Sequence, residues 1–372
     1  MKIMHIVGAR PNFMKISPIM REMARCPEIT QTLVHTGQHY DEKMSKVFFD
    51  ELGLSKPDID LEVGSGSHAQ QTARIMSVFE PVLLDFNPDL LVVVGDVNST
   101  LACSLTASKL GVPIAHVEAG LRSFDRSMPE ETNRLLTDVL SDLLFTTSPE
   151  AEDNLCREGI AADKIFFVGN TMIDSLLRLK ETAAKVDILK RLNLRPQAYA
   201  LVTLHRPSNV DNESVFRGIV SALKEIASHI PVIFPVHPRT RQRIAALALE
   251  SGGPSGGNEI RLIEPQGYID FMKLTMEAAM VLTDSGGIQE ETSVLNVPCI
   301  TIRKNTERPI TVTRGTNVLV GTDKERIVSA AKSALGATRA EAPGIPFWDG
   351  MAAERIVPIL LSWHRSRQKG TQ

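Results

Sequence analysis

Short apolar runs recur along almost the whole chain, each closed by a turn carrying Gly, Asp, Glu or His and each followed by a segment of helical periodicity. In the first half Ile3–Val7, Thr32–His35, Leu90–Val94, Pro113–Val117, Leu143–Thr146 and Ile165–Val168 read as strands. In the second half Ala200–Leu204, Val232–Pro235, Ile260–Ile263, Met280–Thr283 and Cys299–Ile302 do. Helical patterns over Phe13–Ala24, Asp41–Leu52, His68–Leu84, Asn98 or Ser99 to Leu110, Glu130–Leu140 and Pro149–Arg157 separate the strands of the first half. Strands apolar on both faces must be covered on both, and a strand–helix–strand repeat returns each strand parallel to the last. The fold class is therefore α/β. A long helix over about Met172–Leu192 interrupts the repeat after Gly169-Asn170, and 372 residues exceed one ordinary core. The expected organisation is two doubly wound Rossmann-like domains facing a central cleft, 1–169 and 170–351, with a last helix at about 352–366 packing back on the first.

Composition narrows the partners. Hydrophobic content of 43% and charged content of 23% are those of a globular protein, and a formal net charge of −3 without long runs of one sign argues against nucleic acid or acidic lipid. No apolar stretch approaches membrane-spanning length. Met1–Val7 reads as a first strand, not a signal peptide. Cys26, Cys103, Cys156 and Cys299 are isolated and lack metal-ligand spacing, which suits a cytoplasmic chain with buried thiols.

Ligands of doubly wound sheets bind beyond the carboxyl ends of the strands, so the residues there carry the function. Leu282 runs into Asp284-Ser285-Gly286-Gly287 and then a helix containing Glu291. A Ser-Gly-Gly turn opening a helix offers bare N–H groups at the positive end of the helix dipole, a cradle for phosphate. Glu291, one turn on, is placed to accept from neighbouring sugar hydroxyls. After the first strand, Gly8-Ala9-Arg10-Pro11 with Lys15 lacks the dinucleotide Gly-x-Gly-x-x-Gly and suits a phosphate or anionic leaving group. Gly95-Asp96, Glu118 and Met128-Pro129-Glu130-Glu131 converge on one edge of the first sheet, and carboxylates crowded there can exchange protons. Their spacing does not suggest a metal site. His116 is expected to turn away as a core or supporting histidine. The second half offers His205-Arg206, His237-Pro238-Arg239, Glu264-Pro265-Gln266-Gly267-Tyr268 and Asn305–Pro309: a pyrophosphate environment, with Phe271 placed to pack on a base and His237 read as structural. The Gly/Ser-rich 251–258 segment reads as a surface loop without chemistry.

At these residues the chain closely resembles the non-hydrolysing UDP-N-acetylglucosamine 2-epimerases. The matching segments are Gly8-Ala9-Arg10-Pro11 with Lys15, Gly95-Asp96, His116 to Arg122, Pro129-Glu130-Glu131 with Asn133-Arg134, His205-Arg206, Pro265-Gln266 with Tyr268, Asp284 to Glu291 and Thr306 to Pro309. The resemblance implies the GT-B-type architecture of two-domain glycosyltransferases, a cytoplasmic homodimer, and no metal or redox cofactor. It implies an elimination–addition: a base takes the proton from sugar carbon 2 while UDP leaves carbon 1, and the bound 2-acetamidoglucal is reprotonated from the opposite face before UDP returns. By the same resemblance Asp96, Glu118, Glu130 and His205 are catalytic. Arg10, Lys15, Ser285, Gly286, Gly287 and Arg308 would hold the diphosphate, Gln266 and Phe271 uracil, and Glu291 ribose.

The chain departs from the family at three places. Pro207-Ser208-Asn209 follows the His-Arg pair, Ile345 to Gly350 replaces Asn-Pro-Phe-Gly-Asp-Gly, and Gln38-His39 is followed by Tyr40-Asp41-Glu42 rather than the glutamines of members activated by a second UDP-N-acetylglucosamine. The competing readings are an epimerase of a related UDP-2-acetamido sugar such as a diacetamido-uronate, a hydrolysing variant, and more distantly a glycosyltransferase of the same fold.

Overall fold

The computed structural model describes residues 1–37, 51–236, 240–242, 244, 259–336 and 343–370, with the Arg10 side chain excepted. The chain divides into two compact units, Met1–Arg178 with Pro346–Gln372, and Leu179–Ile345.

The first unit is built on seven strands: β1 (Lys2–Val7), β2 (Thr30–His35), β3 (Ile59–Asp60), β4 (Leu90–Val94), β5 (Ile114–Ala119), β6 (Leu143–Thr146) and β7 (Ile165–Phe167). They lie in the order β3-β2-β1-β4-β5-β6-β7, and every pairing is parallel. Each residue of Leu90–Val94 is buried, as a strand covered on both faces requires. The helices His68–Phe86 and Asn98–Lys109 bury Ile75, Phe79, Leu83, Ala102 and Ala107 against Ile6, Leu91 and Val93. The last helix, Ala352–Gly370, packs on Arg10–Met23 within this unit. Asp174 receives its Ala352 and Ala353 amides at 3.1 and 2.8 Å.

The second unit carries β8 (Ala200–Thr203), β9 (Val232–Pro235), β10 (Ile260–Ile263), β11 (Met280–Thr283), β12 (Cys299–Thr301) and β13 (Asn317–Leu319). Their order is β10-β9-β8-β11-β12-β13, again parallel. Both sheets thus have the doubly wound order expected of Rossmann-like units. In each the chain reverses direction of travel at one seam, β1 beside β4 and β8 beside β11, and the crevice at such a seam is where ligands bind.

The structure departs from the sequence reading in detail. β3 and β13 are additional strands, too short and too polar to stand out as apolar runs. The helix expected over Met172–Leu192 is two, Thr171–Lys185 and Ile188–Arg191, because Val186-Asp187 breaks the pattern. Neither Asn98 nor Ser99 caps its helix: Val97 stands at the N-cap, and the Asn98 amide donates instead to Gln71 at 2.8 Å. Most of the Asp41–Leu52 helix, His237-Pro238-Arg239 and the 251–258 segment lie outside the described residues.

Candidate active site

In the first unit the seam loops are Gly8-Ala9 after β1 and Gly95-Asp96 after β4. Asn12 joins them: its Oδ1 accepts from the Gly8 and Ala9 amides at 3.1 and 2.9 Å, and its Nδ2 donates to the Val94 carbonyl at 2.9 Å. Gly8 must be glycine, since a Cβ there would sit 2.0 Å from Ser99 Oγ. Gly95 turns the chain at φ 67°, and its missing side chain leaves room for Lys15 Nζ.

The carboxylates expected at this edge occupy three different environments. Asp96 is partly exposed and receives Arg134, with Nε at 3.0 Å and Nη2 at 2.8 Å from Oδ2. Glu118 is 5% exposed and ion-paired with Lys15, itself 5% exposed. Lys15 therefore stands on a carboxylate in this structure. Glu118 also has φ 71° at a register break between Val117 and Ala119. Such backbone in a non-glycine residue costs about 1–3 kcal/mol and persists only where surrounding contacts impose it. Glu130 is half-buried in the first turn of the helix Pro129–Leu140. Its neighbour Glu131, 2% exposed, is a structural group: it accepts from the Ser123 amide and hydroxyl and the Phe124 amide, all at 2.9 Å, and from Arg134 at 2.5 Å.

Arg134 follows no strand end that would mark it in the sequence, although its spacing from Glu130 and Glu131 is that of one helical turn. It links the Asp96 loop to the Ser123-Phe124 loop. Asn133, donating to the Asp96 carbonyl at 2.8 Å, reinforces the same turn.

In the second unit the seam is organised by Asp284, which is fully buried. Its carboxylate accepts from the His205 amide at 3.1 Å, the Arg206 amide at 3.0 Å, Asn209 at 3.1 Å and His205 Nδ1 at 2.9 Å. Burial opposes its ionisation, but His205 and these backbone donors prevail and hold its pKa below the usual carboxylate range. Asp284 thereby fixes His205, whose side chain is 64% exposed and free to meet a ligand. Ser285 is the N-cap of the helix Gly286–Leu295, with Gly286 and Gly287 as its first residues and no side chain bonded across them. The Arg308 guanidinium lies over this end: a Cβ on Gly286 would come 2.4 Å from its Nη1. Glu290 at 2.6 Å and Glu307 hold Arg308 there, and Glu307 also receives Arg303 at 2.7 Å.

Glu291 is 3% exposed. Its Oε1 accepts from Tyr268 Oη at 3.0 Å, while Oε2 has no partner among the described residues. Burial, with the Glu290 charge added, pushes its pKa up to about 7 against the opposing Tyr268 bond. A buried carboxylate oxygen left open is costly, and two sugar hydroxyls would satisfy it. Gln266 is half-buried and donates to the Glu264 carbonyl at 2.6 Å; Phe271 is half-buried against the Leu274–Val281 core. Among the described residues no group of three His, Cys, Asp or Glu could hold a metal ion, and no helix is long and apolar enough to cross a membrane.

A profile of the family described as UDP-N-acetylglucosamine 2-epimerase matches residues 21–361. A protein of that name from Methanocaldococcus jannaschii is 46% identical over 365 residues, spanning 97% of this chain and 99% of the relative. A Pseudomonas aeruginosa protein named UDP-2,3-diacetamido-2,3-dideoxy-D-glucuronate 2-epimerase is 43% identical over 364 residues, spanning 97% and 99%. The crystal structure of the M. jannaschii UDP-GlcNAc 2-epimerase in complex with UDP-GlcNAc and UDP matches with a TM-score of 0.90 at 46% identity, covering 97% of this chain and 100% of that one. By sequence along its whole length and by fold, the chain belongs to the UDP-N-acetylglucosamine 2-epimerase family.

Proposed function

We propose that the protein interconverts UDP-N-acetylglucosamine and UDP-N-acetylmannosamine by inverting carbon 2. The observation that carries the reading is the pair of strand-end carboxylates, Asp96 on Arg134 and Glu118 on Lys15, in a chain of this family. Inversion needs a proton removed from one face of carbon 2 and returned to the other, hence two carriers. In the first step a carboxylate takes the carbon 2 proton. The C–H electron pair forms the double bond between carbons 1 and 2, and the bond from carbon 1 to the diphosphate oxygen breaks. In the second, a carboxylic acid protonates carbon 2 of the 2-acetamidoglucal from the opposite face and the UDP oxygen adds back to carbon 1. Asp96, Glu118 and Glu130 are the candidates for these two carriers.

Carbon 2 is only weakly acidic, so stabilising the departing diphosphate must carry much of the barrier. His205, Arg308, Ser285 through its hydroxyl, the Gly286 and Gly287 amides and Arg10 serve that role, the Ser285 amide being held by Thr283 Oγ1 at 3.0 Å. Lys15 adds positive charge beside Glu118. Glu291 and Tyr268 take the ribose hydroxyls, and Gln266 and Phe271 the uracil. The family resemblance also supports a cytoplasmic homodimer that needs no metal or redox cofactor.

The comparable likeness to the P. aeruginosa protein supports a second reading, action on a related UDP-2-acetamido sugar. Proton NMR in deuterium oxide separates the two. Deuterium at carbon 2 with the manno epimer appearing from UDP-N-acetylglucosamine establishes the first. Turnover of the diacetamido-uronate alone establishes the second, and free UDP with N-acetylmannosamine establishes hydrolysis. No exchange with any of them overturns the assignment.

A further inference from the structure

His116 is wholly buried in β5, yet both of its ring nitrogens are engaged. Nδ1 lies 2.6 Å from Asp138 Oδ1, and Nε2 lies 2.9 Å from the carbonyl oxygen of Gly95. A carbonyl oxygen only accepts. The Asp138 carboxyl is ionised: burial opposes this, but His116 and Arg122 outweigh it and hold its pKa below the usual range. Nε2 therefore carries the proton that it donates to the Gly95 carbonyl, while Nδ1 meets the Asp138 carboxyl. The second Asp138 oxygen accepts from the Gly120 amide at 3.1 Å and from Arg122 Nη2 at 2.7 Å. Arg122 is in turn fixed to Glu158 at 2.8 and 2.5 Å.

The consequence is positional. Gly95 precedes Asp96, and Gly120 follows Glu118 by two residues. Gly95, Glu118 and Gly120 all adopt left-handed backbone, at φ 67°, 71° and 78°. Backbone of this kind is held by its neighbours. One imidazole–carboxylate pair thus ties together the two turns that present Asp96 and Glu118. Buried charges of this sort add little net stability over apolar packing, so their use here is better sought in the register of the two turns.

We propose that His116 and Asp138 are positioning residues that fix the separation of the Asp96 and Glu118 carboxylates during the two proton transfers, an inference that rests on the epimerase reading above. Both side chains are fully buried.

The test compares the full chain with its Asp138→Asn and His116→Gln variants, each checked for a parent-like circular dichroism spectrum. The expected result is a kcat lower by about 100-fold with KM and the UDP Kd changed less than about threefold, the pattern of an interaction used only in the transition state. Reprotonation from the second face should suffer along with abstraction, so the share of turnovers that release free UDP and 2-acetamidoglucal should rise by about tenfold. Folded variants with kcat within about threefold of the parent, or with a lower kcat and an unchanged share of released glycal, would overturn the proposal. Should both variants fail to fold, nitrogen-15 NMR of the parent decides: His116 Nε2 must carry a proton hydrogen-bonded to the Gly95 carbonyl, and a bare Nε2 would sink it. A parent that neither exchanges the carbon 2 hydrogen nor releases UDP defeats the epimerase reading instead, and is recognised by its wild-type inactivity.

Discussion

The Glu291 carboxyl offers a test of the proposed ribose contact that needs no substrate. It is buried, one of its oxygens has no partner among the described residues, and its pKa stands at about 7 instead of 4.5. A carboxyl whose folded pKa is raised gives its full stability below the unfolded pKa, and that stability is lost as pH rises toward the folded value. Here the window runs from about 4.5 to about 7. Between pH 5.5 and pH 8 the linkage relation gives a loss of about 2 kcal/mol attributable to this group alone. Glu291→Gln removes the titration while keeping the acceptor for Tyr268. Packing differences between Glu and Gln are independent of pH, so they cancel when the stability gap between the two proteins is compared at two pH values. Urea unfolding followed by circular dichroism should show the wild type falling behind the variant by about 2 kcal/mol more at pH 8 than at pH 5.5. A gap of the same size at both pH values would refute the reasoning. If ribose hydroxyls do satisfy Oε2, UDP binding should also release protons near neutrality. Calorimetry in buffers of different ionisation enthalpy would then show it.

The remaining predictions concern the first unit and the cofactor question. Asp96→Asn and Glu118→Gln should each lower turnover by about 100-fold or more, the usual worth of a proton carrier, and leave UDP affinity within a few-fold by calorimetry. A variant near full activity would remove that residue from the proton-transfer steps. Lys15→Met leaves Glu118 buried without its cation and should destabilise the chain by about 3–5 kcal/mol in urea melts, whereas a loss below about 1 kcal/mol would mean the pair is solvated. EDTA should leave turnover unchanged. A loss restored by adding back a divalent cation would contradict the site as drawn.

Much of the fold was legible because its signals are local. The runs Leu90–Val94 and Met280–Thr283 are apolar throughout, and a strand with no polar face has to be covered on both. β3 and β13 were missed for the complementary reason. Ile59–Asp60 and Asn317–Leu319 are strands because a neighbour offers them hydrogen bonds, and nothing in their own composition says so. The candidate site divides in the same way. Asp96, Glu118, His205 and the Ser285-Gly286-Gly287 turn stood out by position after a strand. The supporting residues Arg134, Asp138 and Tyr268 did not, since each lies 18 or more residues away from the group or backbone amide it holds.

By itself the sequence determined the alternation of strand and helix, the glycines at the seams and the identity of the groups presented there, because each depends on chemistry within a few residues. Only the tertiary structure decided which cation each acid meets. Lys15 reaches Glu118, and Arg134 reaches Asp96, because β1 lies beside β4 and β4 beside β5. Strand order is set by how the whole chain buries its apolar faces, and that is a property no single stretch of it carries.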